Sequence, residues 1–191
     1  LKRLWRLVSE HLEKGEVPTL DLSALDDDSK ALRRKTHETI QKVSDDVSRR
    51  LTFNTAIAAV MELSNEINRF DIRNEQDRAV VREALQTSVL LLSPIVPHIA
   101  HSLWQALGNT DAVIDAPWPE CDTSALVKDT IELVVQVNGK VRAKLDAPAN
   151  ADKETLEQLA RTAPNVDKFL EGVTIRKVIV IAGKLVNIVA S

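Results

Sequence analysis

The sequence contains few of the residues that build cross-linked, metal-binding or phosphate-binding sites. It has one cysteine, five glycines and 3% aromatic residues. The single cysteine, Cys121, excludes an internal disulfide and favours a reducing, cytoplasmic compartment. Five glycines are too few for elaborate phosphate-binding loops, and neither a nucleophile elbow nor a His-Glu-x-x-His motif occurs. His98 and His101 share one helical face but have no evident third ligand, so no catalytic residue and no metal site is predicted.

Long apolar stretches are absent as well. No run approaches the roughly 20 apolar residues of a membrane-spanning helix, so no membrane partner is expected. Pro94 and Pro97 interrupt the longest candidate, residues 88–99. Residues 1–5 lack the apolar core of a signal peptide. The chain begins with leucine inside a helical pattern, and we interpret it as part of a longer protein.

Acidic and basic residues are unevenly distributed. The formal net charge is −3, which taken alone argues against a nucleic-acid partner. Residues 1–128 carry 16 basic and 20 acidic residues, whereas residues 129–191 carry 9 and 8. Any anionic partner must therefore be bound by local basic patches and not by the charge of the whole chain.

The first two thirds of the chain follow the period of amphipathic helices. Apolar residues at i, i+3, i+4 and i+7 predict five helices, which begin near residues 1, 26, 53, 77 and 97. The small residues at 56–60 predict that the third helix is the centre of a bundle. In the first helix, the predicted buried stripe consists of Leu1, Leu4, Trp5, Val8 and Leu12.

Beyond residue 128 the apolar period changes from about 3.6 to 2. Strands are predicted at 131–137, 140–145, 174–181 and 185–189, with a helix at 152–160 and a further turn at 165–170. The predicted fold class is mixed: an all-α helical bundle over 1–120, a linker over 121–128, and a small β-β-α-β-β α+β domain over 129–191. We expect the sheet of the small domain to be antiparallel.

The pair Asn138-Gly139, between two alternating runs, is a strong hairpin signal. A two-residue loop would pair Val137 with Lys140 and mix apolar and basic side chains on one face. A three-residue loop or a bulge instead gives the pairs Val137–Val141, Val135–Ala143 and Leu133–Leu145. We favour this second register, because a one-residue slip would move the whole apolar set to the other face.

Basic residues cluster on the predicted strands. Two hairpin ends and a strand can bring six of them to one region: Lys140, Arg142, Lys144, Arg176, Lys177 and Lys184. In the favoured register the first three share one exposed face. The alternative is that lysines on edge strands oppose aggregation. Phe169 is the only aromatic residue in this part, which argues against base stacking and for contacts with phosphates or with RNA shape.

Four motifs together are typical of one known group of proteins. They are Phe-Asn-Thr-Ala at 53–56, Pro-His-Ile-Ala at 97–100, Val-Asn-Gly-Lys-Val-Arg at 137–142 and Gly-Lys-Leu-Val-Asn at 183–187. The first two resemble the anticodon-binding helical bundle of class Ia aminoacyl-tRNA synthetases in general. The last two resemble leucyl-tRNA synthetases of the bacterial type. Resemblance to the C-terminal region of that family spans nearly the whole chain.

This resemblance implies a cytoplasmic, monomeric enzyme that joins leucine to tRNA(Leu) with ATP and magnesium. The family's catalytic and editing domains lie outside this chain, so we expect the chain alone to be inactive and to need no cofactor. The bundle is expected to lie along the anticodon stem and the small domain to reach the tRNA elbow. The expected elbow contacts are Asn138, Lys140, Arg142, Lys144, Arg176, Lys177 and Lys184. Weaker candidates for the stem are Arg33, Arg34, Arg49 and Arg50.

Two alternative functions stay open. One is the corresponding region of another class Ia synthetase, valyl or isoleucyl, although the hairpin at 135–142 argues against it. The other is a helical module that binds proteins, which predicts an exposed apolar groove in place of a clustered basic edge. For the run Arg33-Arg34-Lys35, a solvated helix face is a further alternative to RNA contact.

Overall fold

The structure is a computed structural model that describes residues 1–127, 130–149, 151–164, 166–170, 174–181 and 184–190. The chain divides into two compact units, Leu1–Val127 and Lys128–Ser191, which we call the helical unit and the sheet unit. Each unit has a hydrophobic core of its own. Within the described ranges, no helix is long and apolar enough to cross a membrane.

The helical unit contains the five predicted helices. They are α1 (Lys2–Leu12), α2 (Asp27–Asp45), α3 (Phe53–Arg69), α4 (Glu75–Leu92) and α5 (Pro97–Ala106). Their starting points follow from local chemistry. Asp26 caps α2 by accepting a hydrogen bond from the backbone N–H of Ser29 at 2.9 Å. Asn74 and Asp77 form a capping box at the start of α4, and Pro97 occupies the first turn of α5.

The centre of the helical unit is α4. It packs against α1, α2, α3 and α5 and buries side chains around most of its circumference. The prediction that the third helix is central is therefore wrong. Ala56 and Ala59 of α3 are buried, but Phe53 and Met61 are exposed. The small residues of α3 allow close approach on one side only, whereas the buried residues of α4 are spread over several sides of the helix.

The buried face of α1 lies beside the predicted stripe. Leu4, Leu7, Val8 and His11 are buried, whereas Leu1, Trp5 and Leu12 are exposed. The prediction that Leu1, Trp5 and Leu12 face the core is wrong. Apolar residues cover so much of this helix that several stripes satisfy the same period, and only packing against α3, α4 and α5 selects one.

The sheet unit contains four strands and two helices in its described residues. They are β1 (Thr130–Val137), β2 (Lys140–Pro148), α6 (Lys153–Arg161), α7 (Asp167–Leu170), β3 (Ile175–Ile181) and β4 (Leu185–Ala190). The strand order across the sheet is β2-β1-β4-β3. Both hairpins are antiparallel, but the central pair, β1 and β4, is parallel. The predicted order of elements is confirmed, and the prediction of a wholly antiparallel sheet is wrong.

One face of this sheet forms the second hydrophobic core. Leu133 and Val135 of β1 pack with Val186 and Ile188 of β4, and α6 contributes Leu156 to the same cluster. The alternation of buried and less buried residues along β4 follows the period of two that a one-sided core requires. The side chain of Asp152 caps α6, since it accepts a hydrogen bond from the N–H of Thr155 at 2.8 Å.

The first hairpin turns at Asn138 and Gly139, whose φ angles are 51° and 76°. Two successive positive φ angles define the two-residue turn that an Asn-Gly pair favours. Val137 therefore pairs with Lys140. The predicted three-residue loop and the predicted pair of Val137 with Val141 are wrong.

A β-bulge restores the apolar register of this hairpin. The pairing shifts between Val135 and Gln136, which leaves Arg142 as the extra residue on β2. Beyond the bulge, Val135 pairs with Ala143 and Leu133 with Leu145. The predicted bulge and these two predicted pairs are confirmed. Val141, which the favoured register placed in the core, lies opposite Gln136 and is exposed.

Candidate nucleic-acid interface

Two asparagine side chains fasten the hairpin turn to β4. The amide of Asn138 donates to the carbonyl oxygen of Ala190 at 2.9 Å and accepts from the N–H of Ala190 at 3.0 Å. The N–H of Gly139 donates to the Oδ1 atom of Asn187 at 3.1 Å. These bonds continue the parallel pairing of β1 and β4 beyond its last backbone pair. The amide of Asn138 is thus engaged within the protein, which favours a role in placing Lys140 over direct contact with RNA.

The turns of the two hairpins lie at different levels along β1. Because β1 and β4 are parallel, the turn after β1 lies beside the end of β4, and the turn before β4 lies beside the middle of β1. The predicted gathering of both hairpin ends in one region is therefore wrong. One group, which we call the turn-end cations, consists of Lys140, Arg142, Arg176 and Lys177. Lys144 and Lys184 lie toward the other end, across from Val134 and next to its partner Leu185.

The turn-end cations sit on both edge strands. Lys140 and Arg142 belong to β2, and Arg176 and Lys177 belong to β3, three strand spacings or about 14 Å away. Lys140, Arg176 and Lys177 are exposed and, within the described part of the chain, form no ion pair. The described residues therefore leave these charges unneutralised.

The three cations of β2 do not share one face, which corrects the prediction. The Nζ atom of Lys144 lies 2.8 Å from a carboxylate oxygen of Glu132, and both side chains are largely exposed. Such a surface pair contributes little free energy and leaves Lys144 partly neutralised. The guanidinium carbon of Arg142 instead lies 3.8 Å from the centroid of the Phe169 ring on α7. The bulge separates these directions, since it interrupts the alternation of side chains at Arg142.

Phe169, which contacts Arg142, and its neighbour Lys168 were not predicted as site residues from the sequence. Phe169 is 40% exposed, and its neighbour Lys168 is an exposed cation on the same short helix. Sequence reasoning used Phe169 only as evidence against base stacking. No local pattern joins residue 142 of a strand with residue 169 of a helix, so this contact could be found only in the fold.

Arg33 of α2 holds another segment of the helical unit. It is 8% exposed, its Nη2 atom donates to Asp122 at 2.8 Å, and its Nε atom lies 3.2 Å from Glu83. Hydrogen bonds from Ser124 and Arg33 hold the pKa of Asp122 well below its usual range. A buried guanidinium with two carboxylate partners argues against Arg33 both as a phosphate contact and as part of a solvated face.

The neighbours of Arg33 bind the same segment. Arg34 donates to the carbonyl oxygen of Val127 at 3.1 Å. The Nδ1 atom of His37 accepts from the N–H of Asp122 at 3.1 Å, so its Nε2 atom carries the proton that faces Glu83 at 3.3 Å. Residues 121–127 of the predicted linker are thus held on α2 within the helical unit. Arg34 acts in this contact, and Lys35 is paired with Glu62 at 3.0 Å.

Arg49 and Arg50 lie in the π-helical turn Asp46–Arg50 that extends α2. Arg49 makes two hydrogen bonds to the carboxylate of Asp45, at 2.5 and 3.0 Å, and the Nε atom of Arg50 lies 2.9 Å from the same carboxylate. Both arginine side chains are more than half exposed. Two guanidinium groups that share one carboxylate leave an excess positive charge at the surface, so this pair is still suited to a phosphate.

The described residues contain no group of three or more His, Cys, Asp or Glu side chains arranged to hold a metal ion. The Nδ1 atom of His101 faces the N–H of Val113 at 3.4 Å, and His98 is exposed. The predicted basic residues that are exposed and suited to an anionic partner are Lys140, Arg176, Lys177, Arg49 and Arg50.

The family model for the anticodon-binding domain of tRNA ligase matches residues 29–158. The chain belongs to this family. The match begins in α2 and runs through β1 and β2 into α6, so it includes parts of both the helical unit and the sheet unit.

Two similar relatives align with all 191 residues. The chain is 70% identical to a leucine–tRNA ligase of Alcanivorax borkumensis and 62% identical to one of Chromohalobacter salexigens, and it covers 23% and 22% of those proteins. It thus spans less than a quarter of the length of these curated relatives. A solved ternary complex of Agrobacterium radiobacter K84 agnB2 LeuRS, tRNA and LeuAMS matches with a TM-score of 0.74 and 26% identity. That match covers 100% of this chain and 24% of that one.

Proposed function

We propose that this chain is the tRNA-binding C-terminal region of a leucine–tRNA ligase. Such an enzyme joins leucine to tRNA(Leu) with ATP and magnesium. The observation that carries the proposal is the 70% identity to a leucine–tRNA ligase over the full chain. Matches over the whole of this chain to proteins named leucine–tRNA ligase favour the leucyl enzyme over the valyl and isoleucyl alternatives. The single cysteine suits an enzyme of the reducing cytoplasm, and we take the enzyme to be monomeric.

In this proposal the two units bind different parts of the tRNA. The helical unit lies along the anticodon stem, where Arg49 and Arg50 meet the phosphate backbone. The turn-end cations of the sheet unit meet the elbow. Four cations on two strand edges, with one aromatic residue among them, suit recognition of a folded RNA by phosphates and shape. Leucine activation and editing are assigned to other parts of the enzyme, where ATP and magnesium would also bind.

Titration with RNA at several salt concentrations tests the proposal. The 191-residue chain is titrated with a leucine tRNA transcript and with a non-cognate transcript, from low to physiological salt. We expect affinity to fall as salt rises, because each phosphate contact releases bound counterions. The double variant K140A/K177A removes two turn-end cations, and K144A/K184A is the control that removes the same charge at the other end. The first pair is expected to lower the salt dependence by more than the second.

Two results would count against the proposal. Binding that is absent or insensitive to salt contradicts phosphate contact by this chain. Equal losses in K140A/K177A and K144A/K184A contradict the assignment to the turn end and indicate a general electrostatic attraction. In the full-length enzyme, K140A/K177A should weaken aminoacylation through tRNA and leave leucine activation nearly unchanged.

A further inference from the structure

Phe169 stands apart from the core of the sheet unit. It is 40% exposed, and it is not one of the buried side chains that form the hydrophobic cluster of the described sheet and α6. Its ring faces the guanidinium group of Arg142, whose central carbon lies 3.8 Å from the ring centroid. An exposed aromatic ring with a cation over its face is more typical of a binding site than of core packing.

The bulge at Arg142 is what makes this contact available. Arg142 is the extra residue of β2, so its side chain leaves the alternation that Lys144 follows toward Glu132. Within the described residues, its Nε atom is buried and has no hydrogen-bond partner. The ring thus orders the flat side of the guanidinium group. Because Nε is buried, an anion would be bound by the Nη1 and Nη2 N–H groups, for which the described residues provide no hydrogen bond or ion pair.

A guanidinium group binds phosphate with its N–H edges, and its faces are free to stack on an aromatic ring. An unrestrained arginine loses rotamer freedom when it binds phosphate, and a stacked arginine has already lost part of it. The bulge, the ring and the unfilled edge therefore act together. They prepare Arg142 for an anion before the anion arrives.

We propose that Phe169 is a positioning residue for RNA binding, which orients Arg142 toward a phosphate of the bound tRNA. This inference rests on the proposed function. Phe169 acts through Arg142 and makes no base contact of its own. Its loss is expected to weaken binding about two- to fivefold, the range for one cation–π contact at a partly exposed site.

A double-mutant cycle separates this role from others. The dissociation constant for a leucine tRNA transcript is measured for the 191-residue chain and for F169L, R142Q and F169L/R142Q at several salt concentrations. R142Q should lower the salt slope by roughly 0.7 to 0.9, the effect of one phosphate contact, whereas F169L should leave the slope unchanged. In the R142Q background, F169L should have almost no further effect. F169W, which keeps a stronger cation–π face, should bind at least as well as the unsubstituted chain.

Each other outcome refutes a stated part. If F169L weakens binding equally with and without Arg142, Phe169 acts by stacking on RNA or by stabilising the fold, and the positioning role is wrong. If R142Q weakens binding and F169L does not, the positioning role is wrong while the proposed function stands. If the unsubstituted chain binds no RNA, both are wrong. Thermal unfolding checks each variant, and F169W and F169Y keep the comparison valid should F169L fail to fold.

Discussion

Acidification from pH 7 to pH 5 is expected to destabilise the helical unit through one buried side chain, His11. This residue lies on the packed face of α1, is 4% exposed, and has no hydrogen-bond partner at either ring nitrogen within the described residues. Burial lowers its pKa from 6.5 to about 4, and the nearby charges of Arg78, Arg82 and Lys14 act in the same direction. Arg78 and Arg82 are held in place by hydrogen bonds to the carbonyl oxygens of Gly15 and Leu107.

The size and sign of the effect follow from the two pKa values. Below pH 6.5 the unfolded chain takes up a proton at His11, which the folded chain does not bind until about pH 4. Stability is therefore lost as pH falls through this range and is unaffected above it. The whole shift corresponds to about 3 kcal/mol, of which about 2 kcal/mol is lost by pH 5. Carboxylates with lowered pKa values, such as Asp77, act at lower pH because their ordinary pKa is 3.8.

Urea unfolding at pH 7 and pH 5 measures this loss. All three tryptophans, Trp5, Trp104 and Trp118, belong to the helical unit, so their fluorescence follows that unit alone. The variant H11L removes the titrating group and should lose about 2 kcal/mol less than the unsubstituted chain over this range. At pH 7 it should be at least as stable, since two unpartnered ring nitrogens are removed from the core of the described helical unit.

The control is H98Q, which removes an exposed histidine and leaves the site around His11 unchanged. It should retain the full loss of stability between pH 7 and pH 5. If H11L and the unsubstituted chain lose the same free energy of unfolding over this range, the reasoning about His11 is refuted.

Three further substitutions test other contacts. R33M should lower the free energy of unfolding of the helical unit by about 2 kcal/mol in the same urea assay, because it strands the carboxylates of Glu83 and Asp122; no change would contradict a fastening role. N138A should speed amide hydrogen exchange at Ala190 about tenfold or more, and unchanged exchange would show that the side-chain bonds are dispensable. N74A should destabilise the helical unit by about 1 kcal/mol through the lost capping box, and a smaller effect at α4 would assign its start to packing alone.

Local patterns predicted the elements well and their neighbours poorly. The period of apolar residues, the capping residues of α2 and the Asn-Gly pair act within a few residues, so helices, strands and the turn were predictable. The parallel pairing of β1 with β4 joins residues about 50 positions apart, and no local period contains it. This missed pairing explains why the basic residues were expected in one region.

The candidate site shows the same limit. The exposed lysines, Lys140 and Lys177, were predictable because a charged residue on a strand edge is seldom buried. The ion pairs of Arg33 were not predictable, because its carboxylate partners come from α4 and from residue 122. Whether a basic side chain is free or ion-paired depends on acidic residues that are distant in the sequence. A local run of basic residues does not show where those partners are.

The bonds between Asn138 and Ala190 have a consequence for the order in which the sheet unit assembles. They join residues separated by 52 positions, so closing them requires a long loop to be ordered first. The turn that presents Lys140 is made early during synthesis, yet its final shape depends on a strand made much later. In a ribosome-bound chain that still lacks β4, the β1–β2 hairpin would therefore be without the bonds between Asn138 and Ala190. Deletion of residues 187–190 at the end of β4 should therefore abolish RNA binding by the turn-end cations, although none of these cations lies in the deleted segment.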